Sequence, residues 1–360
     1  MTRSPSFRWS RRQALYLLSG ALGGLTLHAC TPATNSETAS SPTSSPTAAT
    51  AGSSPTAATA RLAMVTWIGY VPIYIALEKG FYKELGLELE KVVFGSNPEA
   101  NTAFLAGQVD GVTTVPSEAV LMAANGKDFR AVYVIDTSNG GDSILARNKF
   151  PDVQSFKGQR VALERNGVSH FFFLEVLSQA GLKESDVQII NLTPDAAAAA
   201  YQAGNVEIAV TYAPFLFSAN EAQKDGRIIF DSSMLKLPTA IADVAIFDTT
   251  FVEQNPAAIA AFVRGSLKGL EYFEANRPEG LEIAGKELGL TPAELDEQLK
   301  GVKFATLEDN VNMLSNPDSN LYLLKPFTNL VGFMQETGQI KTEPDLSQLL
   351  APQFVLKARG

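Results

Sequence analysis

The chain has 360 residues, 45% of them hydrophobic and 19% charged, with a formal net charge of −9. That balance belongs to a folded globular protein and excludes both a wholly disordered chain and one embedded in a membrane. The acidic excess makes nucleic acid and anionic lipid headgroups poor partners.

Residues 1–29 carry Arg3, Arg8, Arg11 and Arg12 and no acid, and a mostly apolar run follows over 14–29. This is the composition of a cleaved export signal. The run is broken by Ser19, Gly20, Gly23 and Gly24 and is shorter than the ~20 residues that span a bilayer. Ser10, Arg11, Arg12 and Leu15 in "SRRQAL" resemble a twin-arginine signal, and the general export route stays open beside it. "LHAC" (Leu27 to Cys30) resembles a bacterial lipobox, which implies acylation of Cys30 and an anchor on the outer face of the cell membrane. Cys30 is the only cysteine, so an intrachain disulfide is excluded. Without the four leader arginines, 25 basic residues face 38 acidic ones, a net charge of −13.

From 31 to 60 the chain is almost wholly Thr, Ser, Ala and Pro, and "SSPTAATA" occurs at 44–51 and again at 53–60. Such a segment has no core-forming residues to offset its ordering entropy. As a flexible coil it spans roughly 30 Å, and more where prolines extend it.

From Arg61 onward short apolar runs alternate with helical patterns, which predicts an α/β body in two lobes. Strands are expected at "RLAMVTWI", "LELEKVVFG", "GVTTV" and "RAVYVI", with helices over 72–83, 98–106 and 117–125 between them. Asn97-Pro98, Thr193-Pro194 and Asn255-Pro256 each pair a capping side chain with proline at the first helical position. "TPAE" (Thr291 to Glu294) is a capping box. Beyond Phe251 the pattern is largely helical, and "AAIAAFVRGSLKGLEYF" carries a broad apolar stripe that reads as core packing.

A short internal echo supports two similar lobes. "LAGQVDGVTTV", ending at Val115, is followed about 97 residues later by "QAGNVEIAVTY", ending at Tyr212. In each, a helix ends on Ala-Gly and a strand runs out through Thr114 or Thr211 toward Pro116 or Pro214. Ligands of open α/β sheets bind at such strand ends.

The usual handles of catalysis are missing. Beyond the leader there is one histidine, His170, and no GxSxG, HExxH, CxxC or P-loop, so redox, thiol, zinc-peptidase and nucleotide chemistries lose their groups. No cofactor or metal is expected. Glycoside hydrolysis needs only two carboxylates at a fixed separation, so a carboxylate-based hydrolase stays open. His170, at the start of a probable helix, reads more readily as a packed or capping side chain than as a catalytic one.

The leader, lipid attachment, polar tether and acidic two-lobed body together resemble the solute-binding lipoproteins of bacterial ABC importers. "WIGYVPIYIALEKGFYKELGLELE" (Trp67 to Glu90) is similar to the opening of the nitrate/sulfonate/taurine-binding group, which includes thiamine-pyrimidine binders. "AFLAGQVDGVTTVPSEAV", "FKGQRVALERNGVSHFFFLEVLSQAGL" and "VTYAPF" continue the similarity in order, from Arg61 to Tyr272.

The resemblance implies a two-lobed periplasmic-binding-protein fold of type II with the ligand cleft between lobes, and no enzymatic activity. It implies a monomer that binds a small-molecule solute and works with a membrane permease and its ATPase. The implied division is signal peptide 1–29, anchored linker 30–60, first lobe 61–145, second lobe 146–240, and a return over 241–360. Hinge segments are expected within 136–147 and 238–247.

The implied ligand set is Trp67, Tyr70, Ser96, Asn97, Ser117, Glu118, Asp136, Asp142, Glu164, Ser169, His170, Tyr212 and Asp243. Five of these are acids, against Arg165 as the one basic residue in the same segments. Sulfonate and nitrate require positive charge or converging amide donors. Carboxylates beside aromatic faces suit a small planar nitrogen cation such as guanidinium. In the alternative, a taurine, alkanesulfonate or nitrate ligand is held by Ser96, Ser117, Ser169 and helix-start amides. A structural reading of the acids also stands: Asp136 ends a strand, Glu164 faces solvent, and Asp142 bonds the amides of its own Gly-Gly turn.

Overall fold

The computed structural model describes residues 58–359. The expected signal peptide, Cys30, and the expected linker up to residue 57 lie outside that range. The first described strand, Ala58–Met64, buries Ala60 and turns Thr59 outward as it pairs with Leu87–Val93.

Among the described residues eleven strands form two sheets. The first contains β1 (Ala58–Met64), β2 (Leu87–Val93), β3 (Gly111–Thr114), β4 (Phe129–Ser138), β10 (Ala242–Asp248) and β11 (Val302–Phe304), in the order β11-β4-β10-β3-β1-β2. The second contains β5 (Asp142–Arg147), β6 (Arg160–Leu163), β7 (Gln188–Asn191), β8 (Ile208–Tyr212) and β9 (Gly226–Asp231), in the order β7-β6-β8-β5-β9. Short apolar runs such as β3 and β8 are buried throughout, as expected of strands covered by helices on both faces.

The two sheets share one plan. β2-β1-β3 are parallel and β10 joins β3 antiparallel, just as β7-β6-β8 are parallel and β5 joins β8 antiparallel. The sequence echo therefore falls on β3 and β8, the strands that meet the inserted antiparallel one. The first crossing between sheets occupies 139–141 and the second 232–241. Asp142 opens a strand of the second sheet, so the first boundary falls before residue 142 rather than after 145. The run "SILAR" pairs with β8 and β9, which fixes it there.

The crossings are tied to each other. Ser138 Oγ and Ser232 Oγ lie 2.7 Å apart, Gly140 N donates to Ser232 Oγ at 2.7 Å, and Asn139 N and Gly141 N both donate to the Gly301 carbonyl. On the edge of the first sheet, the buried Asn310 side chain accepts from Val134 N and donates to Val134 O, satisfying backbone groups that would otherwise be orphaned.

The expected helix over 72–83 is two helices, Val71–Glu78 and Phe81–Glu84. Gly80 between them takes φ +72°, a left-handed turn that glycine adopts without a Cβ penalty. The capping box at Thr291 and Glu294 is present. Asn97 is not a cap: Ser96 caps that helix by accepting from Glu99 N, which frees the Asn97 side chain for another partner. Thr193 and Asn255 make no side-chain cap either; Thr193 bonds Asp195 and Asn255 bonds the Phe251 carbonyl.

Candidate functional site

Every fully buried carboxylate among the described residues lies around one place. The buried acids are Glu118, Asp136, Asp142, Glu164 and Asp243, and no lysine or arginine is buried with them. They lie around a narrow cavity of about 20 Å³, lined by Val65, Trp67, Tyr70, Asn97, Val115, Asp142, Val168, Tyr212, Ile241 and Asp243. The lining comes from strand ends and helix starts of both sheets, the carboxyl-end crevice expected of open α/β layers.

Each wall residue is placed by its strand. Trp67 follows β1, and its Nε1–H donates to the Asp136 carboxylate at 3.1 Å. Tyr70, three residues on, donates its hydroxyl to Asp243 Oδ1 at 2.7 Å. Asp136 and Asp243 are themselves cross-strand partners on β4 and β10. Two glycines make room for this arrangement. A Cβ at Gly69 would lie 2.1 Å from Asp136 Oδ2, and one at Gly141 would lie 2.5 Å from Trp67 Cη2. Tyr212, at the end of β8, meets Trp67 edge-on with ring centroids 6.0 Å apart, so the aromatic wall joins the two sheets.

Asn97 donates its Nδ2–H to Glu118 Oε1 at 2.9 Å, while Asn101 and Thr114 donate to Glu118 Oε2. Glu118 is thus one layer behind the cavity, and Asn97 is on its wall. Asn101 and Thr114 escaped the sequence reading. Asn101 stands four residues after Asn97 on the same helix, and that spacing was the available signal.

The remaining expected residues are placed as follows. Ser96 caps its helix, and its hydroxyl also faces the buried Glu164. Ser117 is buried away from the cavity lining, and the Ser169 hydroxyl is buried without a partner. His170 is turned from the cavity: Nδ1 accepts from Asn166 N at 3.3 Å, and Nε2 lies 3.4 Å from Glu184 Oε2. Arg165 pairs with Glu184 on the outside. None of the three serines offered for a sulfonate lines the cavity.

Burial dominates the electrostatics, because a charged carboxylate loses its hydration here. It pushes Asp142 up to about 7, against the Ser138 hydroxyl and with help from Glu118. Glu164 rises to about 8, again from burial, with Ser96 opposing. Asp136 and Asp243 are raised well above the ordinary range by burial; the Trp67 and Tyr70 donors oppose this, and the nearby acids add to it. Burial also raises Glu118, against the donors from Asn101, Thr114 and Asn97. His170 is lowered by burial, so it is neutral near pH 7. The acid cluster is therefore proton-rich, and a positive charge entering it would meet carboxylates ready to ionise.

Among the described residues no group of three or more His, Cys, Asp or Glu converges as metal ligands, and no helix is long and apolar enough to cross a membrane.

Comparison with known proteins agrees with this geometry at the level of family and fold. The sequence profile of the family described as NMT1/THI5 like matches residues 67–280. The taurine-binding periplasmic protein of Escherichia coli (strain K12) is 24% identical over 284 residues, covering 76% of this chain and 86% of that protein. A riboflavin-binding protein of Chloroflexus aurantiacus is 25% identical over 358 residues, covering 94% of this chain and 97% of that one. The alkanesulfonate-binding protein of Xanthomonas axonopodis pv. citri, solved with MOPS bound, superposes with a TM-score of 0.68 at 16% identity, covering 82% of this chain and 98% of that chain. The fold is that of the periplasmic binding proteins, two α/β layers with the cavity between them.

Proposed function

The chain belongs to the NMT1/THI5-like family, and from that premise we propose that it is the extracytoplasmic solute-binding component of an ABC importer whose ligand is a small N–H-rich organic cation, guanidinium foremost. It binds the solute between its two lobes and delivers it to a membrane permease driven by an ATPase. It acts as a monomer held to the membrane through Cys30. It is a binding protein rather than an enzyme, as its relatives are named. A carboxylate hydrolase needs two free acids on the reacting bond, whereas Asp136 and Asp243 are held by Trp67 and Tyr70 and Glu118 is held by Asn97.

The observation that carries the ligand assignment is the composition of the cavity: Asp142 and Asp243 on its wall, three more buried acids around it, and no buried base. A buried carboxylate without a cation loses several kcal/mol of hydration or takes up a proton. A guanidinium offsets that loss with bidentate hydrogen bonds and stacks on Trp67 or Tyr212. The limited space suits a ligand of few atoms, and the aromatic faces on the wall suit a flat organic one.

A taurine or alkanesulfonate reading is favoured by the names of several relatives, the taurine-binding protein and a putative aliphatic sulfonates-binding protein of Escherichia coli among them. Taurine's ammonium end would take Asp142 and its sulfonate the Tyr212 hydroxyl and the helix starts at Asn97 and Val168, but a sulfonate would enter beside five buried acids with no buried base to balance it. A thermal-shift comparison of guanidinium, taurine and nitrate at matched ionic strength separates the two readings. A ligand at a hundredfold excess over its dissociation constant raises stability by ~2.7 kcal/mol. Guanidinium is expected to give that shift; a shift with taurine or nitrate alone would refute the cation reading.

A further inference from the structure

Three side chains of the cavity wall carry N–H or O–H donors whose hydrogen bonds are already committed to protein acids. Trp67 Nε1–H goes to Asp136, Tyr70 Oη–H to Asp243, and Asn97 Nδ2–H to Glu118. Each acceptor is a buried carboxylate. What remains for the cavity is the indole face, the phenol oxygen, the Asn97 carbonyl and the carboxylates of Asp142 and Asp243. Apart from the Tyr212 hydroxyl, which bonds no protein group, the side chains of the wall therefore offer acceptors and π faces, and the ligand has to bring most of the donors.

Trp67 has one orientation that satisfies its N–H, but Asn97 has two. Its amide presents either the carbonyl or the N–H₂ to the cavity, and the partner behind it decides which. Glu118 has two oxygens, one taking Asn97 and the other taking Asn101 and Thr114. With donors arriving at both of its oxygens, it accepts on each side and donates on neither. Asn97 must therefore turn its N–H₂ inward to Glu118 and its carbonyl to the cavity. The helix bearing Glu118 also meets the helix that starts at Val168 in the second layer, whose first backbone N–H faces the same carboxylate. Gly167 offers that helix no side-chain cap.

We infer that Glu118, which does not reach the cavity, is a positioning residue that sets ligand specificity by fixing the direction of the Asn97 amide, so that the site selects an N–H-rich cation over an anion of the same shape. The inference rests on the cation reading above and adds to it the residue that enforces it.

Guanidinium and nitrate are the matched probes, both planar and threefold but opposite in charge and in hydrogen-bond role. In Glu118→Gln the new amide keeps its oxygen toward Asn101 and Thr114 and turns its N–H₂ to Asn97, which must then face its own N–H₂ into the cavity. Guanidinium affinity is expected to fall about tenfold and the guanidinium-to-nitrate ratio to narrow, because a donor now meets a donor.

The double variant, Asn97→Asp combined with Glu118→Gln, keeps one carboxylate and reverses the bond. The amide now at position 118 donates to the carboxylate now at position 97, an acceptor oxygen faces the cavity again, and guanidinium preference returns. Asn97→Ala, which leaves Glu118 with its other donors, is expected to lose guanidinium affinity to a similar degree and tests the point if Glu118→Gln does not fold.

Titrations of the purified protein, followed by calorimetry, decide the matter. An unchanged affinity ratio in folded Glu118→Gln, an unaffected Asn97→Ala, or a folded double variant as weak as the single one would overturn the inference while leaving the cation reading intact. A parent protein that binds nitrate or taurine and not guanidinium would overturn the cation reading and this inference with it.

Discussion

Asp136 and Asp243 stand directly opposite each other on β4 and β10, and both are buried, one holding the indole of Trp67 and the other the hydroxyl of Tyr70. Like charges facing each other across a strand pair destabilise the sheet, and here neither acid has a basic neighbour. The pair is stable only with protons on it or with a cation beside it.

Stability of the ligand-free protein should therefore fall as pH rises. Asp142 and Glu164 have folded values of about 7 and about 8, against about 4 in the unfolded chain. The folded state binds more protons through that window, so stability is full below about 4, declines toward pH 7–8, and levels off above it. Each group contributes a slope of about 1.4 kcal/mol per pH unit where only its folded form is protonated. Denaturation at pH 5, 6, 7 and 8 should show the decline, and Asp142→Asn should flatten it between 5 and 7.

Asp136→Asn should stabilise the free protein increasingly as pH rises, since the Asn oxygen still accepts the Trp67 N–H while position 136 no longer has to hold a proton beside Asp243. The same change should weaken cation binding by roughly tenfold or more, as loss of a buried charge partner does. Paired thermal melts and ligand titrations check both signs.

Gly141→Ala should damage the cavity from behind. The added Cβ would lie 2.5 Å from Trp67 Cη2 and 3.0 Å from the Gly301 carbonyl, so the indole must leave its place. A stability loss of about 1–3 kcal/mol is expected, together with loss of ligand affinity. Trp67 is one of only two tryptophans, the other being Trp9 in the expected signal peptide, so its fluorescence maximum reports the displacement.

His170→Gln should leave ligand affinity unchanged within about twofold, because its ring faces Asn166 and Glu184 and not the cavity. A larger effect in calorimetric titration would place His170 in the site after all.

Much of this site was legible in the sequence. The five acids chosen from the segments that resemble the family are the five buried acids of the described chain, and Trp67, Tyr70, Asn97 and Tyr212 line the cavity with Asp142 and Asp243. Sequence could not separate the layers. Glu118 and Asp136 are chemically like Asp142, yet only the packing of Asn97 and Trp67 against them puts them behind the wall. Asn97 before proline has the form of a helix cap, and the shift of the true cap to Ser96 is a matter of one residue's backbone angles. His170 follows a probable loop as a ligand would, and the neighbour that claims it, Glu184, lies in another element. The boundary at 141 rather than 145 depended on pairing to β8 and β9, a non-local property.

The central claim, that this acid-lined cavity holds a cation which displaces protons, is tested most directly by calorimetric titration of guanidinium at pH 7 in two buffers of different ionisation enthalpy. The account predicts binding with an apparent heat that differs between the buffers, corresponding to net proton release into solution. Absence of guanidinium binding, with taurine or nitrate binding in its place, or guanidinium binding with no proton released, would contradict it.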